Sequence, residues 1–381
     1  MRHPRFQLLC ALLVLASVSA ALAEISYSMT PLIVPNANYV TAWDVNSSGQ
    51  VAGYAGFLQS LVGVAGFYTE PNAGSTTVVA PIWEGSITQV TQGQFLSIND
   101  VGVCTGWSYV QGPQMIETHL VRYADGVQTD LGTLGGTVAQ GTGINNSGVI
   151  VGRSSLANYQ THGFVYQNGA MTDLGLLGAG TYSEANAIND AGVIVGFATT
   201  STAMQVGHAV KWVDGEMIDI GGLEGNSHTY ANAISDNGYI VGSADNTWSG
   251  STPSIAWLDE GEGMFDIGYL FTNPSGVRRD MYAFSVNSLG DVVGYTLNTS
   301  GRRTAYLYHG GELFNLEDYL PDEYAGWELW NAFGINDQGW IVGTGYAPGD
   351  THMQSFALHL IPEPATLGLL AAAGLLIGRR R

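Results

Sequence analysis

The amino-acid sequence predicts an all-β protein made of seven similar four-stranded units, and three observations support this prediction. A nine-residue phrase recurs seven times: an apolar residue, Asn, two variable residues, Gly, one variable residue, two mostly apolar residues and Gly, with Ser235 replacing Asn in the fifth copy. A further apolar strand pattern follows each copy, and small residues recur just before each Asn. Self-similarity at a fixed period indicates a repeat architecture.

The phrases are separated by the length of one β-propeller blade. The first glycines of neighbouring phrases lie between 44 residues apart (Gly148 to Gly192) and 53 residues apart (Gly49 to Gly102). Four antiparallel strands in such a span are typical of a blade. The copies are Val45–Gly53, Ile98–Gly106, Ile144–Gly152, Ile188–Gly196, Ile234–Gly242, Val286–Gly294 and Ile335–Gly343.

The fourth copy shows how one unit is expected to fold. Ala185–Ile188 is the first strand, and Asn189–Gly192 is a turn in which Asn can bond its own backbone and Gly supplies a positive φ. Val193–Phe197, His208–Trp212 and Glu216–Ile220 are the second, third and fourth strands. The small residues lie on the first strand, so we expect this strand to be the innermost, where a ring of blades is most crowded.

The ends of the repeat region predict how the ring closes. The last third strand, Ser355–His359, has no fourth strand after it. Tyr27–Leu32 resembles an interior fourth strand, so it is expected to complete the last blade and remove an exposed sheet edge. Residues 24–361 are therefore predicted to form a seven-bladed β-propeller closed by the first strand of the mature chain.

The N-terminal segment has the features of a secretory signal peptide. Residues 1–23 contain two arginines, an apolar run at Leu8–Val18 and the cleavage pattern Ala21-Leu22-Ala23. Signal peptidase is expected to leave Glu24 as the first mature residue. The alternative is a retained anchor, although the apolar run is shorter than the roughly 20 residues that a spanning helix needs.

The C-terminal segment, residues 362–381, resembles a PEP-CTERM sorting signal. Pro362, Glu363 and Pro364 precede an apolar stretch, and Arg379, Arg380 and Arg381 end the chain. The resemblance implies recognition by an exosortase-type protease and transient inner-membrane anchoring. It also implies a final place outside the cell, secreted or on the surface of an exopolysaccharide-producing bacterium. A plain tail anchor is the alternative.

Three segments of the repeat region also resemble the HAF repeat of extracellular bacterial proteins. They are Gly143–Gly148, His162–Tyr166 and Asp130–Gly136. The resemblance implies export and a repeat architecture, and it implies no particular activity.

Composition limits the partners of the mature chain. Residues 24–361 contain 7 basic and 31 acidic residues, a formal charge of −24. Such a body repels the phosphates of nucleic acids, so nucleic acid is excluded as a partner, and a soluble extracellular protein is favoured. Cys104 is the one cysteine of the mature chain, which excludes an internal disulfide, and its place in the phrase predicts a buried apolar role.

The repeated polar residues have structural interpretations. His119, His162 and His208 occupy equivalent positions in successive units, which predicts hydrogen bonds within each blade rather than a shared metal. The Asn and Asp residues of the phrase are expected to stabilise turns; a calcium loop is the alternative, without its usual ligand pattern. No cofactor or metal site is predicted, and no catalytic motif is present.

The candidate ligand-binding residues lie where the repeat pattern is interrupted. They are Tyr319, Asp322, Tyr324, Trp327 and Trp330 before the last unit, and Trp248 in an inserted loop. Aromatic faces beside carboxylates suit sugar binding, although the same aromatics are equally able to form core between blades.

Three functions are consistent with these features. The leading hypothesis is a non-catalytic protein that binds carbohydrate or a surface component of the exopolysaccharide matrix. The alternatives are an extracellular polysaccharide hydrolase or lyase, suggested by the many carboxylates, and a scaffold for another exported protein.

Overall fold

The computed structural model describes residues 26–57, 62–81, 91–112, 115–202, 206–223, 228–245 and 253–361. Within these ranges the fold is all-β, with no α-helix and two short 3-10 helices at Leu316–Tyr319 and Asp322–Tyr324. No helix in the described part of the chain has the length and apolar character needed to cross a membrane.

Antiparallel pairing groups the strands in fours, as the phrase spacing predicts, and parallel pairs between some neighbouring groups join them into sheets of 4, 12, 8 and 4 strands. Their bounds are β1 Tyr27–Leu32; β2 Tyr39–Val45, β3 Val51–Gly56, β4 Val62–Thr69, β5 Thr76–Val79; β6 Thr91–Ile98, β7 Cys104–Gln111, β8 Ile116–Ala124, β9 Val127–Gly132; β10 Gly135–Ile144, β11 Ile150–Leu156, β12 Thr161–Gln167, β13 Ala170–Asp173; β14 Ser183–Ile188, β15 Ile194–Thr199, β16 Gly207–Val213, β17 Glu216–Gly221; β18 His228–Ile234, β19 Ile240–Asp245, β20 Ile255–Asp259, β21 Met264–Asp266; β22 Met281–Val286, β23 Val292–Leu297, β24 Arg303–His309, β25 Glu312–Asn315; β26 Glu328–Ile335, β27 Trp340–Tyr346 and β28 Gln354–Leu360.

The unit β14 to β17 explains why the phrase contains two glycines. Gly192 ends the turn between β14 and β15 at φ +82°, a conformation that L side chains rarely adopt. The register then shifts between Ala185 and Ala187, forming a bulge in β14. The second glycine, Gly196, lies opposite this bulge, where a Cβ would come 2.0 Å from the carbonyl oxygen of Glu184. Each glycine of the phrase therefore has its own backbone requirement.

The N-terminal strand completes the last unit, in agreement with the sequence. Strand β1 pairs antiparallel with β28 from Tyr27↔Leu360 to Leu32↔Ser355. The Ile361 amide also donates a 2.8 Å hydrogen bond to the carbonyl oxygen of Ser26. The two ends of the described chain are thus neighbours in one four-stranded sheet.

The apolar core lies between neighbouring units rather than inside one of them. One cluster joins Met29 of β1 and Leu329 of β26 to Leu307 of β24, which belongs to the preceding unit. Another joins Val40 of β2 to Val342 of β27. Because a single sheet cannot bury both of its faces, stacking neighbours is what supplies the core.

Candidate functional site

The phrase asparagines connect one unit to the next. Asn145 accepts a 3.0 Å hydrogen bond from the Val149 amide through Oδ1, which stabilises its own turn. Its Nδ2 donates to the carbonyl oxygen of Asn189, 3.2 Å away in the next unit. The turn-stabilising interpretation is therefore confirmed, and the same side chain makes a second bond that the sequence did not reveal.

Equivalent bonds connect other neighbouring units. They are Asn46 to Asn99 at 2.9 Å, Asn99 to Asn145 at 3.0 Å, Asn189 to Ser235 at 3.1 Å, Asn287 to Asn336 at 3.3 Å and Asn336 to Asn46 at 2.6 Å. Ser235 lacks the carboxamide, and Asn237 instead donates to the carbonyl oxygen of Ser288 at 2.9 Å. The bond from Asn336 to Asn46 joins the last phrase to the first.

A cavity of about 360 Å³, here called the central cavity, is lined by the first strand of every unit. In every unit, the side chain three residues before the phrase Asn (or Ser235) lines this cavity. These side chains are polar in the third to fifth units and apolar in the other four, so they form a polar arc and an apolar, mainly aromatic arc. In chain order they are Trp43, Leu96, Thr142, Asn186, Asn232, Phe284 and Phe333. The Trp43 and Phe333 rings stack with centroids 4.5 Å apart, and Phe284 lies 5.2 Å from Phe333.

Asp44 is the charged exception among the small residues two positions before the phrase Asn. Its carboxylate accepts hydrogen bonds from Ser97 Oγ at 2.8 Å and from the Ile98 amide at 3.0 Å, both in the next unit. It also accepts one from the Val45 amide at 2.8 Å. Burial raises the pKa of Asp44 above its ordinary value although these bonds act in the opposite direction. Asp44 thus links two units while facing the central cavity.

A second cavity, of about 320 Å³, lies at the opposite ends of the first strands and is here called the Arg153 cavity. Arg153 donates to Gln140 Oε1 from Nε at 3.1 Å and from Nη2 at 2.9 Å. Its Nη1 lies 3.1 Å from both Tyr182 Oη and Glu184 Oε2. Burial alone would lower the pKa of Arg153, but Tyr182 and Glu184 raise it above its ordinary value. The guanidinium is therefore held in place by three neighbouring side chains.

Tyr159 gives this cavity an exposed aromatic wall. It is 84% exposed and lies in the turn between β11 and β12 at φ +67°. Among the described non-glycine residues with positive φ, only Tyr159 and Ala73 are neither Asn nor Asp. A bulky side chain in this conformation is uncommon and carries a cost in backbone energy. The fold therefore holds a large aromatic ring in water at the edge of a polar cavity.

Aromatic rings continue from the Arg153 cavity into the next unit. Phe197 stacks on Tyr230 with centroids 4.4 Å apart, and Tyr182 lies 6.2 Å from Phe197. Burial, then Asp245, Glu184 and Tyr282, raise the pKa of Tyr230 to about 12. The stacked rings thus connect Tyr182, which lines the cavity, with Tyr230 of the fifth unit.

The ligand-binding residues predicted from the sequence lie elsewhere. Trp327 is buried in the core next to Leu329 and Phe356, and Tyr319 and Tyr324 pack against the same cluster. Asp322 is exposed in a 3-10 helix. Trp330 lies 4.8 Å from the Tyr346 ring. Trp248 and the processing residues of both termini lie outside the described residues.

The structure places the five described residues of this prediction at the boundary with the last unit. None of these five lines the Arg153 cavity. Trp327 has the core position that the sequence allowed as the alternative role of these aromatics. Ligand binding by the group stays a prediction.

The three repeated histidines bond within their own units, as expected. His162 Nδ1 lies 2.9 and 2.8 Å from the two carboxylate oxygens of Asp173 on the neighbouring strand. His119 pairs in the same way with Asp130, and His208 pairs with Asp219. No group of three or more His, Cys, Asp or Glu residues in the described ranges is placed to hold a metal ion. Cys104 is buried, and burial raises the pKa of its thiol well above the usual value.

The residues of the Arg153 cavity depart from the repeat, so the features that the seven phrases share do not indicate them. One signal was available. The residue after the second glycine of each phrase is Tyr54, Trp107, Arg153, Phe197, Ser243, Tyr295 or Thr344, so Arg153 is the single basic residue of the set.

Comparison with known proteins supports the fold and leaves the activity open. No family model and no curated protein matches the chain. Among solved structures, the chain is similar to an acylaminoacyl peptidase of Pyrococcus horikoshii, with 12% identity, a TM-score of 0.50 and 90% of this chain covered. The chain spans about half (54%) of the length of that peptidase.

Two further similarities are weaker. The chain covers 60% of a Trypanosoma rangeli sialidase crystallised with sialic acid, with 91% of this chain aligned, 11% identity and a TM-score of 0.40. It covers 90% of a mutant of AofleA from Arthrobotrys oligospora, with 76% of this chain aligned, 12% identity and a TM-score of 0.39. The fold is all-β and propeller-like, and identities this low carry no activity to this chain.

Proposed function

We propose that this protein is an exported, non-catalytic, closed seven-bladed β-propeller that binds carbohydrate of an exopolysaccharide matrix at the Arg153 cavity. Three observations support the closed ring: the four-stranded units that follow the seven phrases, the pairing of β1 with β28, and the hydrogen bond from Asn336 to Asn46. A ring of blades leaves only short outer edge strands, which suits a protein that has to remain soluble outside the cell.

The single observation that carries the binding proposal is the convergence of pattern-breaking residues in one cavity. Arg153, Tyr159 and Tyr182 line it together with Gln140 and Thr161. An exposed aromatic face suits stacking on the apolar face of a sugar ring, while guanidinium, amide and hydroxyl groups suit its hydroxyls. The volume of about 320 Å³ lies at the lower end of the range for small-ligand sites.

Charge favours a neutral sugar in this cavity. The Arg153 guanidinium is already paired with the Glu184 carboxylate at 3.1 Å. An acidic sugar would have to compete with that carboxylate and with the acidic body of the protein. Neutral hexose units of a polysaccharide therefore fit better than uronic acids.

Export and anchoring belong to the same proposal. Signal peptidase cleaves after Ala23. Residues 365–381 then anchor the chain transiently in the inner membrane until an exosortase-type protease acts at Pro362–Pro364. Mass spectrometry of the protein from culture medium and cell envelope tests this. An N-terminus at Glu24 and loss of the segment after Pro364 are expected, and an intact 381-residue chain would contradict it.

The binding proposal is tested with Tyr159→Ala and a matched control. Purified protein is assayed by affinity electrophoresis in gels containing the exopolysaccharide of the producing organism, dextran as a neutral glucan, or alginate as a polyuronate. The matrix polysaccharide is expected to retard the wild type, dextran more than alginate, and Tyr159→Ala is expected to lose most of the retardation. The control Tyr269→Ala removes another exposed tyrosine, 52% exposed.

Two results would contradict the proposal. Equal retardation of Tyr159→Ala and wild type would remove the Arg153 cavity from binding. Release of reducing ends from the polysaccharide during incubation would show that the protein is a hydrolase or lyase instead.

A further inference from the structure

The central cavity has a chemical character that the carbohydrate proposal does not use. Its lining includes Asp44 and four aspartates that directly follow a phrase Asn or Ser: Asp100, Asp190, Asp236 and Asp337. None of the described residues that line it is Lys, Arg or His. A concave site lined by one sign of charge concentrates counterions, so the cavity is expected to attract cations.

The four aspartates that follow a phrase Asn or Ser are here called the rim carboxylates. Two of them, Asp236 and Asp337, have one carboxylate oxygen available to a ligand, whereas Asp190 does not. Asp190 Oδ1 accepts from the Asn146 amide at 2.8 Å, and Asn146 Nδ2 donates to the second oxygen of Asp190 at 2.7 Å. Asp236 and Asp337 likewise use Oδ1, accepting an amide at 2.9 and 2.7 Å, respectively. Their Oδ2 atoms accept no hydrogen bond from the described part of the chain, so they can accept one from a ligand.

The aromatic arc decides what kind of cation fits. Trp43, Phe333 and Phe284 are half-buried and line the cavity from the last two units and the first unit. The two spare carboxylates belong to units in or beside this arc. A hydrated metal ion gains nothing from aromatic rings, whereas an ammonium group on an apolar ring gains a cation–π contact and buried apolar area.

Amide groups complete the opposite wall. Asn186 and Asn232 donate through Nδ2 to the carbonyl oxygens of Ala231 at 2.9 Å and Ala283 at 2.8 Å. These bonds fix the carboxamides and leave Oδ1 of each to accept a hydrogen bond from a ligand donor. The cavity thus has an apolar aromatic wall, an amide wall and an acidic rim.

We propose that the central cavity is a second binding site, specific for a small organic ammonium ion carried on a ring. A cyclic amine and an amino sugar share this chemistry. The ammonium group lies between the rim carboxylates and the Trp43 ring, and the ring of the ligand packs on the aromatic arc. This site is independent of carbohydrate binding at the Arg153 cavity, which is at the other ends of the first strands.

Isothermal titration of the full chain carrying Tyr159→Ala, which removes sugar binding at the Arg153 cavity, tests this site with four probes: cyclohexylammonium, D-glucosamine, D-glucose and Ca²⁺. Both ammonium probes are expected to bind saturably, and glucose at least tenfold more weakly than glucosamine. Tighter binding of glucosamine than of cyclohexylammonium identifies an amino sugar as the natural class, and the reverse order identifies a simpler cyclic amine. Ca²⁺ is expected not to displace cyclohexylammonium from the cavity.

Variants assign the binding to this cavity. Trp43→Leu keeps apolar bulk but removes the aromatic face, and is expected to weaken cyclohexylammonium binding roughly three- to tenfold, as for one cation–π contact. Asp337→Asn is expected to weaken it as well. Tyr269→Ala and Asp125→Asn change exposed residues outside the cavity and are the controls, and thermal melting verifies that each variant is folded.

Three results would overturn the site: no saturable binding of either ammonium probe, equal affinity for glucose and glucosamine, or unchanged affinity in both folded Trp43→Leu and folded Asp337→Asn. Tyr159→Ala separates this proposal from the previous one. That variant is expected to retain ammonium binding whether or not the Arg153 cavity binds polysaccharide.

Discussion

Replacing Asn189 with alanine should show how much one phrase asparagine stabilises the fold. The side chain is 4% exposed. It accepts from the Val193 amide at 2.9 Å and donates to the Ser235 carbonyl oxygen at 3.1 Å. Alanine leaves the Val193 amide without a partner, whereas the Ser235 carbonyl oxygen still accepts from the Gly238 amide at 3.0 Å. One unsatisfied donor costs about 1 to 3 kcal/mol and one further lost hydrogen bond about 0.5 to 1.5 kcal/mol, so we expect a loss of about 2 to 4 kcal/mol.

Thermal unfolding followed by circular dichroism measures this loss. The entropy of unfolding is about 2.1 cal/mol/K per residue, or about 0.7 kcal/mol/K for roughly 340 residues. Asn189→Ala should therefore lower Tm by about 3 to 6 °C. The control Asn158→Ala removes an exposed asparagine that bonds within its own turn. Its effect should stay within about 0.5 kcal/mol.

The fifth unit offers the reverse experiment. Ser235→Asn restores the carboxamide that the other phrases have, and it should add a bond toward the Asn287 carbonyl oxygen. A gain of about 0.5 to 1.5 kcal/mol is expected, which corresponds to about 1 to 2 °C. If Asn189→Ala unfolds at the same temperature as Asn158→Ala, the bonds between units do not stabilise the protein and this reasoning is refuted.

Three further predictions concern other parts of the fold. Gly242→Ala places a Cβ 1.8 Å from the Tyr230 carbonyl oxygen, and urea unfolding should show a loss of at least about 1 to 3 kcal/mol. Met29→Asp buries a carboxylate in the core beneath β1, and the same assay should show a loss above about 3 kcal/mol. Burial alone would raise the pKa of Asp100, but hydrogen bonds from Ser47 and Asn146 lower it. Stability from Asp100 is therefore present above its ordinary pKa and lost as pH falls through the lowered value. Asp100→Asn should make the acid loss of stability shallower in a pH series of urea midpoints.

The controls for these variants isolate their causes. Gly74→Ala adds a Cβ that lies 3.2 Å from Glu70 Cβ and from the Pro71 carbonyl oxygen, so a small shift accommodates it and it should cost much less than Gly242→Ala. Met29→Leu conserves volume and should cost less than about 1.5 kcal/mol. Wild-type stability for Gly242→Ala or Met29→Asp, or an unchanged acid slope for Asp100→Asn, would each contradict the corresponding contact.

The backbone plan was predictable because each turn of the phrase requires particular residues. Gly192 needs a positive φ, Asn189 caps its own turn, and Gly196 has no room for a Cβ, so the chain repeats these residues wherever it repeats the geometry. The missing fourth strand after Ser355–His359 similarly identified Tyr27–Leu32 as its partner.

The site was less predictable because it depends on which strand ends converge. Arg153 and Tyr182 are 29 residues apart and meet only when two units pack side by side. The exposure of Tyr159 follows from one turn conformation that the sequence does not mark. The stretch around Trp327 stood out for its aromatics, but aromatic residues alone do not distinguish a binding face from the core between two units.

Closure of the ring through β1 is tested most directly by a disulfide across its last seam. Ser28 and His359 are register partners in β1 and β28, so the double variant Ser28→Cys/His359→Cys places two thiols at a cross-strand position. Oxidation should form an intramolecular disulfide in nearly all molecules, seen as a loss of the mass of two hydrogen atoms and as a raised Tm. Free thiols at both substituted positions of the folded, oxidised double variant, in addition to Cys104, would mean that the first strand does not join the last and that the ring is open.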